Sequence, residues 1–309
     1  MSPSRPDQNA QRLTPSQCCA IIVTWQPQIS DLVALLESLS AQGCASIVID
    51  NGSANAEALT QTLHPMRDDV TLLSWSENRG LAAGMNAGIL QARAQGYRFV
   101  FLFDQDSCIG GRFCQSMLAA WGQAVKLGHP VAAIGPRLQD PQSGRKTPFK
   151  CFRLLARNDI PAAPGLFATD FLISSGTLLP LSELSRIGLM KESYFIDNID
   201  LEWCFRARSL GYALYGTDRT VLFHRIGEDS QNPLVAAGIM VSHSPLRSYY
   251  STRNRLHLRR QSYAPRDWKV RDLIRFAIKT SWLLIFNRRR REYLQQIRRG
   301  IKDAGDLRD

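Results

Sequence analysis

The 309-residue chain lacks any apolar run of the ~18 residues that a membrane-spanning helix requires. Its first sixteen residues are rich in Pro, Ser, Gln and Asn and contain no apolar segment. They therefore predict a disordered leader over residues 1–17 rather than a signal peptide. The seven cysteines form no C-x-x-C pair and are odd in number, which disfavours a zinc site and a disulfide framework. These absences predict a cytoplasmic protein.

Acidic residues are also in the minority, and the net charge is +11. Residues 266–302 hold twelve Lys and Arg against three acidic residues, which gives this segment a net charge of +9. The remainder of the chain is nearly neutral, so a polyanionic partner is expected at the C-terminal end. Hydrophobic residues make up 44% of the chain, enough for a sizeable core.

Strand-like and helix-like segments alternate through the first third of the chain, which predicts a doubly wound α/β sheet. The predicted strands are 18–25, 45–50, 70–75 and 99–103, and the predicted helices include 30–42, capped by Ser30, and 82–94. Ligands of such sheets bind beyond the carboxyl ends of the strands. The polar pairs and triplets at those ends are Thr24-Trp25, Asp50-Asn51 and Asp104-Gln105-Asp106. Beyond Gly111 we expect a helix over 112–127, an irregular polar segment over 135–165, a strand over 171–179, a helix within 194–210 and short strands at 212–215 and 221–224.

Two carboxylates follow the fourth predicted strand at positions i and i+2, in Asp104 and Asp106. On extended backbone they point the same way and suit a hard cation such as Mg²⁺ or Mn²⁺, although a polar turn is the alternative. Asp50 lies in an Asp-Asn-Gly-Ser sequence, which is either an ordinary turn or an acceptor for a pyrimidine base. Arg79 is a candidate phosphate contact, and Asn86 is either structural or near the base. The small residues of the helix over 82–94 allow close approach of a ligand or of a neighbouring strand.

The segments VTW, VIDNGS, NRGLAAGMNAGI and FLFDQDS occur in an order that resembles the donor-binding half of the family 2 inverting glycosyltransferases. The resemblance implies a GT-A fold, a Rossmann-like mixed sheet over 18–225, with a nucleotide-sugar half at 18–110 and an acceptor half at 111–225. It implies a divalent metal, Mg²⁺ or Mn²⁺, held by Asp106 and Asp104. The implied donor-nucleotide residues are Thr24, Trp25, Asp50, Asn51, Arg79, Gly80, Asn86, Asp104 and Gln105.

The segment FIDNIDLEWCFRARSLGY places three acids, Asp197, Asp200 and Glu202, within six residues. Such a cluster is costly unless the carboxylates are solvated, paired or catalytic, and the alternative is an acidic first turn of a helix. The segment resembles the family's acidic motif, which implies that Asp200 is the catalytic base and that Glu202 and Trp203 belong to the same motif. The family often has Glu-Asp where this chain has Ile199-Asp200, so the role of the displaced Asp197 stays open.

A late histidine, His224, follows a strand-like segment; the resemblance implies that it reaches the metal or the diphosphate, and the alternative is a packed histidine. The segment 244–260, SPLRSYYSTRNRLHLRR, with FLISSG, is similar to the members of the family that transfer L-rhamnose from dTDP-L-rhamnose. Arg253 and Asn254 share a helical face there and are candidate diphosphate contacts. The alternative is a solvated basic helix.

The C-terminal region, 226–309, is predicted to be basic and helical. Apolar positions recur at helical spacing between Leu273 and Ile285, and Arg288–Arg291 follow directly. Such a stripe beside many cations fits a helix lying in an anionic membrane interface. Docking of the stripe against the catalytic domain is the alternative, but it leaves the arginine run unexplained.

The resulting hypothesis is an inverting transfer of L-rhamnose from dTDP-L-rhamnose to a membrane-borne glycan or glycolipid, at the inner face of the cell membrane. Another UDP- or dTDP-sugar is the first alternative. A sugar nucleotidyltransferase is disfavoured because Gln26-Pro27, and no Gly-rich loop, follow the first strand. A non-catalytic protein that binds a membrane or nucleic acid is the third alternative. Because the charge is confined to one apolar-striped end, we expect no nucleic-acid partner.

Overall fold

The structure, a computed structural model, describes residues 13–152, 157–223 and 244–307. Its main strands are β1 (Cys18–Thr24), β2 (Ala45–Asn51), β3 (Val70–Trp75), β4 (Phe99–Asp104), β5 (Cys108–Ile109), β6 (Val131–Gln139), β7 (Lys150–Cys151), β8 (Arg157–Asn158), β9 (Ile160–Ala163), β10 (Leu166–Thr169), β11 (Thr177–Pro180) and β12 (Ala213–Phe223). Its helices are α1 (Ile29–Ser40), α2 (Ala56–Leu63), α3 (Leu81–Ala94), α4 (Phe113–Val125), α5 (Leu184–Ile187), α6 (Ile199–Ser209), α7 (Pro245–Arg260), α8 (Arg266–Phe286) and α9 (Arg290–Asp303).

One mixed sheet organises these elements, in the order β3-β2-β1-β4-β11-β6-β12-β10-β9, with β5 paired to β12. The strands β1 to β4 run parallel to their neighbours, and β11 joins β4 antiparallel. The predicted α/β class and the Rossmann-like mixed sheet are confirmed. Each of the first four strands ends within one residue of its prediction.

The second half of the sheet departs from the predictions. The segment 135–165, predicted to be irregular, begins inside the nine-residue strand β6. Gly135 and Pro136 suggested a loop because both are disfavoured inside strands. They are tolerated because the pairing of β6 with β12 shifts register beside Pro136. Of the predicted strand 171–179 only Thr177–Leu179 is extended, and the two short strands predicted near 212 and 221 are one strand, β12. The helix α1 begins before Ser30, with Gln28 at the N-cap position, so the predicted cap is wrong.

Hydrophobic side chains cover both faces of the sheet. One face packs α3 and α6 and buries Ile21 and Trp203; the other packs α1 and α4 and buries Ile22 and Phe113. A β-carbon added to Gly84 of α3 would overlap Val23 of β1. The small residues of α3 therefore serve the close packing of that helix on the sheet.

The seven cysteines are all free thiols. Among the described residues, each helix is too short or too polar to cross a bilayer.

Candidate functional site

The parallel strands bring the predicted polar residues to one edge of the sheet. Thr24 lies beside Asp50, and Val23 lies beside Asp104, in adjacent strands. The Asp50 side chain is fully buried, and its Oδ1 accepts a hydrogen bond from the Ser53 amide at 3.2 Å. Its Oδ2 is buried and has no hydrogen-bond partner. Buried acceptors are nearly always satisfied, so this oxygen is suited to accept a hydrogen bond from a ligand.

The side chain of Gln105 ties the ends of β1 and β4 together. Its Oε1 accepts from the Trp25 amide at 2.9 Å, and its Nε2 donates to the Trp25 carbonyl at 3.4 Å. The Thr24 hydroxyl, also fully buried, donates to the Ile49 carbonyl at 3.3 Å. These bonds fix the backbone around Trp25, whose side chain is 55% exposed at the sheet edge.

The loop after β3 is attached to this edge by Asn51. Its Oδ1 accepts from the Arg79 amide at 2.8 Å, and its Nδ2 donates to Asn78 at 3.0 Å. The Arg79 guanidinium is largely exposed and lies over the Trp75 ring. Gly80 has a φ of +93°, and a β-carbon there would overlap Phe195. Glycine therefore permits direct contact between this loop and the chain that precedes α6.

Asn86, on α3, faces the protein interior. Its Oδ1 accepts from the Met190 amide and its Nδ2 donates to the Met190 carbonyl, both at 2.9 Å. Nδ2 also donates to Glu192 at 2.9 Å. The side chain thus joins α3 to the segment before α6, in keeping with the structural alternative for this residue.

The first aspartate of the Asp-Gln-Asp triplet ends β4, and the chain turns immediately after it. The Ser107 amide donates to the Asp104 carbonyl at 3.1 Å. The Asp104 amide donates to Ser175 Oγ at 3.3 Å, and the Ser107 and Ser175 hydroxyls lie 2.7 Å apart. Asp104 is half-buried and Asp106 is exposed in the turn. Asp104 and Asp106 therefore do not lie on one side of an extended strand as predicted, because β4 ends before Asp106.

Two carboxylates at this edge are oxygen donors of the kind that Mg²⁺ and Mn²⁺ prefer. The described residues contain no group of three or more His, Cys, Asp or Glu side chains arranged to hold a metal. His224, the third predicted ligand, lies outside the described residues. Asp104 and Asp106 therefore fit a divalent ion that takes its other ligands from phosphate oxygens and water.

Asp200 stands at the second position of α6 and is half-buried. Burial, together with the smaller effects of the negative charges of Asp104 and Asp197, raises the pKa of its carboxyl group to about 7. The Leu201 amide donates to its Oδ1 at 2.8 Å and opposes the shift. The charge of Asp104 contributes to this shift, so the carboxylate at the end of β4 lies near Asp200. A carboxyl group that titrates near neutral pH is suited to act as a general base.

The other two residues of the predicted acidic motif point into the core. Glu202 is 1% exposed and accepts from Arg206 at 2.8 Å and from the Tyr263 hydroxyl at 2.7 Å. The Trp203 indole donates to the Gly188 carbonyl at 3.0 Å. Both side chains anchor α6 in the core, whereas Asp200 is the one residue of these three that is partly exposed.

The loop immediately before α6 has an unusual backbone. Phe195, Asp197 and Asn198 have φ values of +62°, +67° and +62°, in the left-handed region that side chains disfavour. The Asp197 carboxylate pairs with Arg247 of α7 at 3.0 Å. None of the three residues is glycine, so the usual sequence marker of a positive φ is missing here.

The side chain of Asn254, on α7, binds the backbone of this loop. The side chain is fully buried, and its Nδ2 donates to the carbonyls of Tyr194 and Ile196 at 2.8 Å and of Asp197 at 2.9 Å. Its Oδ1 accepts from Arg253 at 3.0 Å, and Arg253 also donates to the Tyr194 carbonyl at 3.3 Å. The structure therefore places these two candidate diphosphate residues on the backbone of the loop.

The fold is a mixed sheet with carboxylates at the ends of its parallel strands, and the site holds a carboxyl group with a pKa of about 7. This combination is that of a GT-A glycosyltransferase. Residues 19–173 match the model of Glycosyl transferase family 2, and the chain belongs to that family.

The chain is similar to the dTDP-rhamnosyl transferase RfbF of Shigella flexneri, with 28% identity over 286 residues, 91% of this chain and 93% of that protein. It also shares its fold with residues 1–349 of S. aureus TarS in complex with UDP-GlcNAc. That likeness has a TM-score of 0.58 and 15% identity, and it covers 93% of this chain and 81% of that one. The structure of GalNAc-T7 with UDP, GalNAc and Mn²⁺ matches with a TM-score of 0.56 and 13% identity over 91% of this chain. This chain spans 57% of the length of GalNAc-T7.

Proposed function

We propose that this glycosyltransferase moves L-rhamnose from dTDP-L-rhamnose to a hydroxyl of a membrane-borne glycan or glycolipid, with inversion at the anomeric carbon. The observation that carries the proposal is Asp200, a carboxyl group near Asp104 with a pKa raised to about 7. Membership of family 2 supports the reaction class. The similarity to a dTDP-rhamnosyl transferase of Shigella flexneri supports the donor.

The nucleotide-sugar half, residues 18–110, binds the donor in this proposal. The unsatisfied Oδ2 of Asp50 accepts the N3–H group that thymine and uracil both carry. Trp25 offers an exposed ring beside the base, and Arg79 offers an exposed cation to the diphosphate. The remaining donor residues are Thr24, Asn51, Gly80, Asn86, Asp104 and Gln105, most of which act by holding the backbone of this edge.

Asp104 and Asp106 hold Mg²⁺ or Mn²⁺ in this proposal, and His224 remains a predicted third ligand. A bound cation neutralises the negative charge of the departing diphosphate. The presence of Mn²⁺ with UDP in the GalNAc-T7 structure supports the use of a divalent metal.

The acceptor half, residues 111–225, supplies the base. Asp200 takes the proton from the acceptor hydroxyl as that oxygen attacks the anomeric carbon from the face opposite the nucleotide. A single displacement converts dTDP-β-L-rhamnose into an α-L-rhamnoside. Glu202 and Trp203 fix the helix that carries Asp200, and Asp197, Arg253 and Asn254 fix the loop before it.

A panel of sugar nucleotides with a thermal-shift readout tests the donor. The proposal expects dTDP-L-rhamnose with Mn²⁺ to stabilise the protein most, and EDTA to reduce the shift, because ligands that bind only the folded state raise its melting temperature. A larger thermal shift with UDP-glucose or UDP-GlcNAc would show that the donor carries a sugar other than rhamnose. That second candidate is favoured by Asp50, whose free oxygen recognises the pyrimidine and not the sugar.

The variant Asp50→Asn tests the contact with the pyrimidine base of the nucleotide in the same assay. We expect its affinity for dTDP to fall about tenfold, the value of one hydrogen bond to a charged group. Asp68→Asn is the matched control, because Asp68 is an exposed aspartate at the opposite, amino end of the neighbouring strand β3. Equal dTDP affinity in the two variants would show that Asp50 does not contact the pyrimidine of the nucleotide.

A further inference from the structure

The side of α8 that faces the protein carries charged residues beside two buried apolar ones, Trp268 and Leu283. Asp272 is 8% exposed and pairs with Arg255 of α7 at 3.1 Å. Lys279 is also partly buried on this side, where burial and the nearby Arg255 lower the pKa of its ammonium group. Buried charges of this kind are unusual on the inner side of a surface helix, which is normally apolar.

The opposite side of α8 is apolar and exposed. Its large side chains are between 47% and 66% exposed and run the length of the helix: Val270, Leu273, Ile274, Ile278, Ile285 and Phe286. Ala277 and Ser281 lie between them and are exposed as well. The alternative that this stripe docks on the catalytic domain is wrong for the described residues, because the stripe faces away from them. A continuous apolar patch of this kind marks an interaction surface.

Positive charge surrounds the apolar stripe. Arg288, Arg290 and Arg291 follow the C-terminal end of α8 and are exposed, as are Arg266 and Arg275 on the helix itself. The net charge of +9 over residues 266–302 favours a polyanionic surface. Nucleic acid would leave the apolar stripe in water, and a second copy of the chain would bring two arginine clusters together. An anionic bilayer satisfies both the stripe and the charge.

We propose that the outer side of α8 and the arginines at 288–291 form a docking surface for an anionic lipid bilayer. The apolar side chains enter the interfacial layer, and the arginines contact phosphate headgroups. The helix lies in the plane of the membrane, because it is too polar to cross it. This surface does not depend on which sugar the enzyme transfers.

The docking surface is also connected to the catalytic loop. Lys279, on the inner side of α8, lies close enough to Asp197 and Arg247 for their charges to act on its ammonium group. Arg247 in turn holds Asp197, three residues before Asp200. Arg255, which pairs with Asp272 of α8, lies on the same helix, α7, as Arg247. A membrane-bound α8 is therefore joined through α7 to the loop that precedes Asp200.

Co-sedimentation of the full chain with vesicles tests the proposal. We expect binding to phosphatidylcholine vesicles that contain phosphatidylglycerol and at least tenfold weaker binding to phosphatidylcholine alone. The variant Ile274→Asn/Ile278→Asn should lose binding at least tenfold. Leu90→Asn/Leu210→Asn is the matched control, because it removes two leucines of similar exposure from the catalytic domain. Arg288→Gln/Arg291→Gln should weaken binding and reduce its dependence on salt.

Three results would overturn the docking surface. The first is no binding of the wild-type protein to anionic vesicles, and the second is equal binding by the Ile274/Ile278 variant and its control. The third is a dimer in sedimentation velocity that this variant dissociates, which would assign the stripe to a second copy of the chain. Every variant should keep the thermal shift with the sugar nucleotide, so loss of the membrane surface and loss of the donor assignment give different results.

Discussion

The polar residues at the ends of β1, β2 and β4 lie on strands whose pairing fixes their positions, whereas the loop before α6 is held by the side chain of Asn254 on the helix α7. We call the first region the donor edge and the second the base loop, residues 194–198. The donor edge uses ordinary strand geometry. The base loop contains three left-handed residues, and the side chain of Asn254 holds three of its backbone carbonyls. Substitutions at the two regions should therefore separate donor binding from proton transfer.

The largest effect is expected from Asp200→Asn. An amide cannot take the proton of the acceptor, so we expect kcat to fall about 10³-fold or more, within the range for loss of a general base. Donor binding should survive, because the donor site lies at the ends of β1, β2 and β4 and Asp200 lies on α6. Transfer assays with radiolabelled or mass-tagged donor measure kcat, and a thermal shift with the sugar nucleotide measures binding. Robust turnover by this variant would place the base elsewhere.

The same variant should gain stability, which distinguishes a catalytic residue from a structural one. The pKa of Asp200 is raised in the folded state to about 7. The stability linked to its titration is therefore complete below about pH 4, where the unfolded chain also holds the proton, and is lost as pH rises through 7. Asparagine avoids this loss, so its melting temperature should exceed that of wild type at pH 8 and match it at pH 4. A lower melting temperature at pH 8 would indicate a structural role.

A smaller loss of activity is expected from Asn254→Ala. The substitution removes the donor that holds three carbonyl groups of the base loop, so the loop should relax and displace Asp200. We expect kcat to fall about 10²-fold, the cost of a displacement of about 1 Å at a catalytic group, with little change in the KM of the donor.

Thr217→Ala is the matched control for Asn254. Thr217 is also fully buried and donates to the carbonyl of Gly165, 52 residues away, but it lies on β12 and outside the base loop. Both variants should lose stability by about 1–3 kcal/mol, because each leaves buried carbonyl groups unsatisfied. Equal kcat values for the two variants would show that Asn254 acts on stability alone.

This contrast also explains how much the sequence could predict. The donor edge follows from local patterns, since strands such as Val70–Trp75 alternate with helices and end in polar residues. The resemblance to family 2 then identified Asp200 within a cluster of three acids. Neither source indicated that Glu202 and Trp203 would point into the core, because an eleven-residue helix presents every side and only packing decides which side is buried.

The base loop could not be predicted, because its conformation depends on contacts between distant segments. Asp and Asn adopt positive φ more readily than most residues, but Phe does not, so local propensity does not indicate three positive φ values within four residues. Arg253 and Asn254 are candidate diphosphate contacts from their residue types and helical spacing, and that role stays a prediction. Their contacts with backbone carbonyls of the base loop could not be predicted from either feature.

The smallest expected effect is a change in the pH dependence of kcat/KM when the charge of Asp197 is removed. Asp200 must be deprotonated to act, so kcat/KM should fall about tenfold per pH unit below about 7 and level off above it. Asp197→Asn should move this limb to lower pH by a fraction of a unit. The variant removes a negative charge that raises the pKa of Asp200, and it leaves the Arg247 guanidinium, which favours the ionised form. The pH dependence of kcat/KM, measured at saturating metal, reports the shift. If the limb stays in place or moves to higher pH, the charge of Asp197 does not tune Asp200, and burial, Asp104 and the Leu201 amide set its pKa.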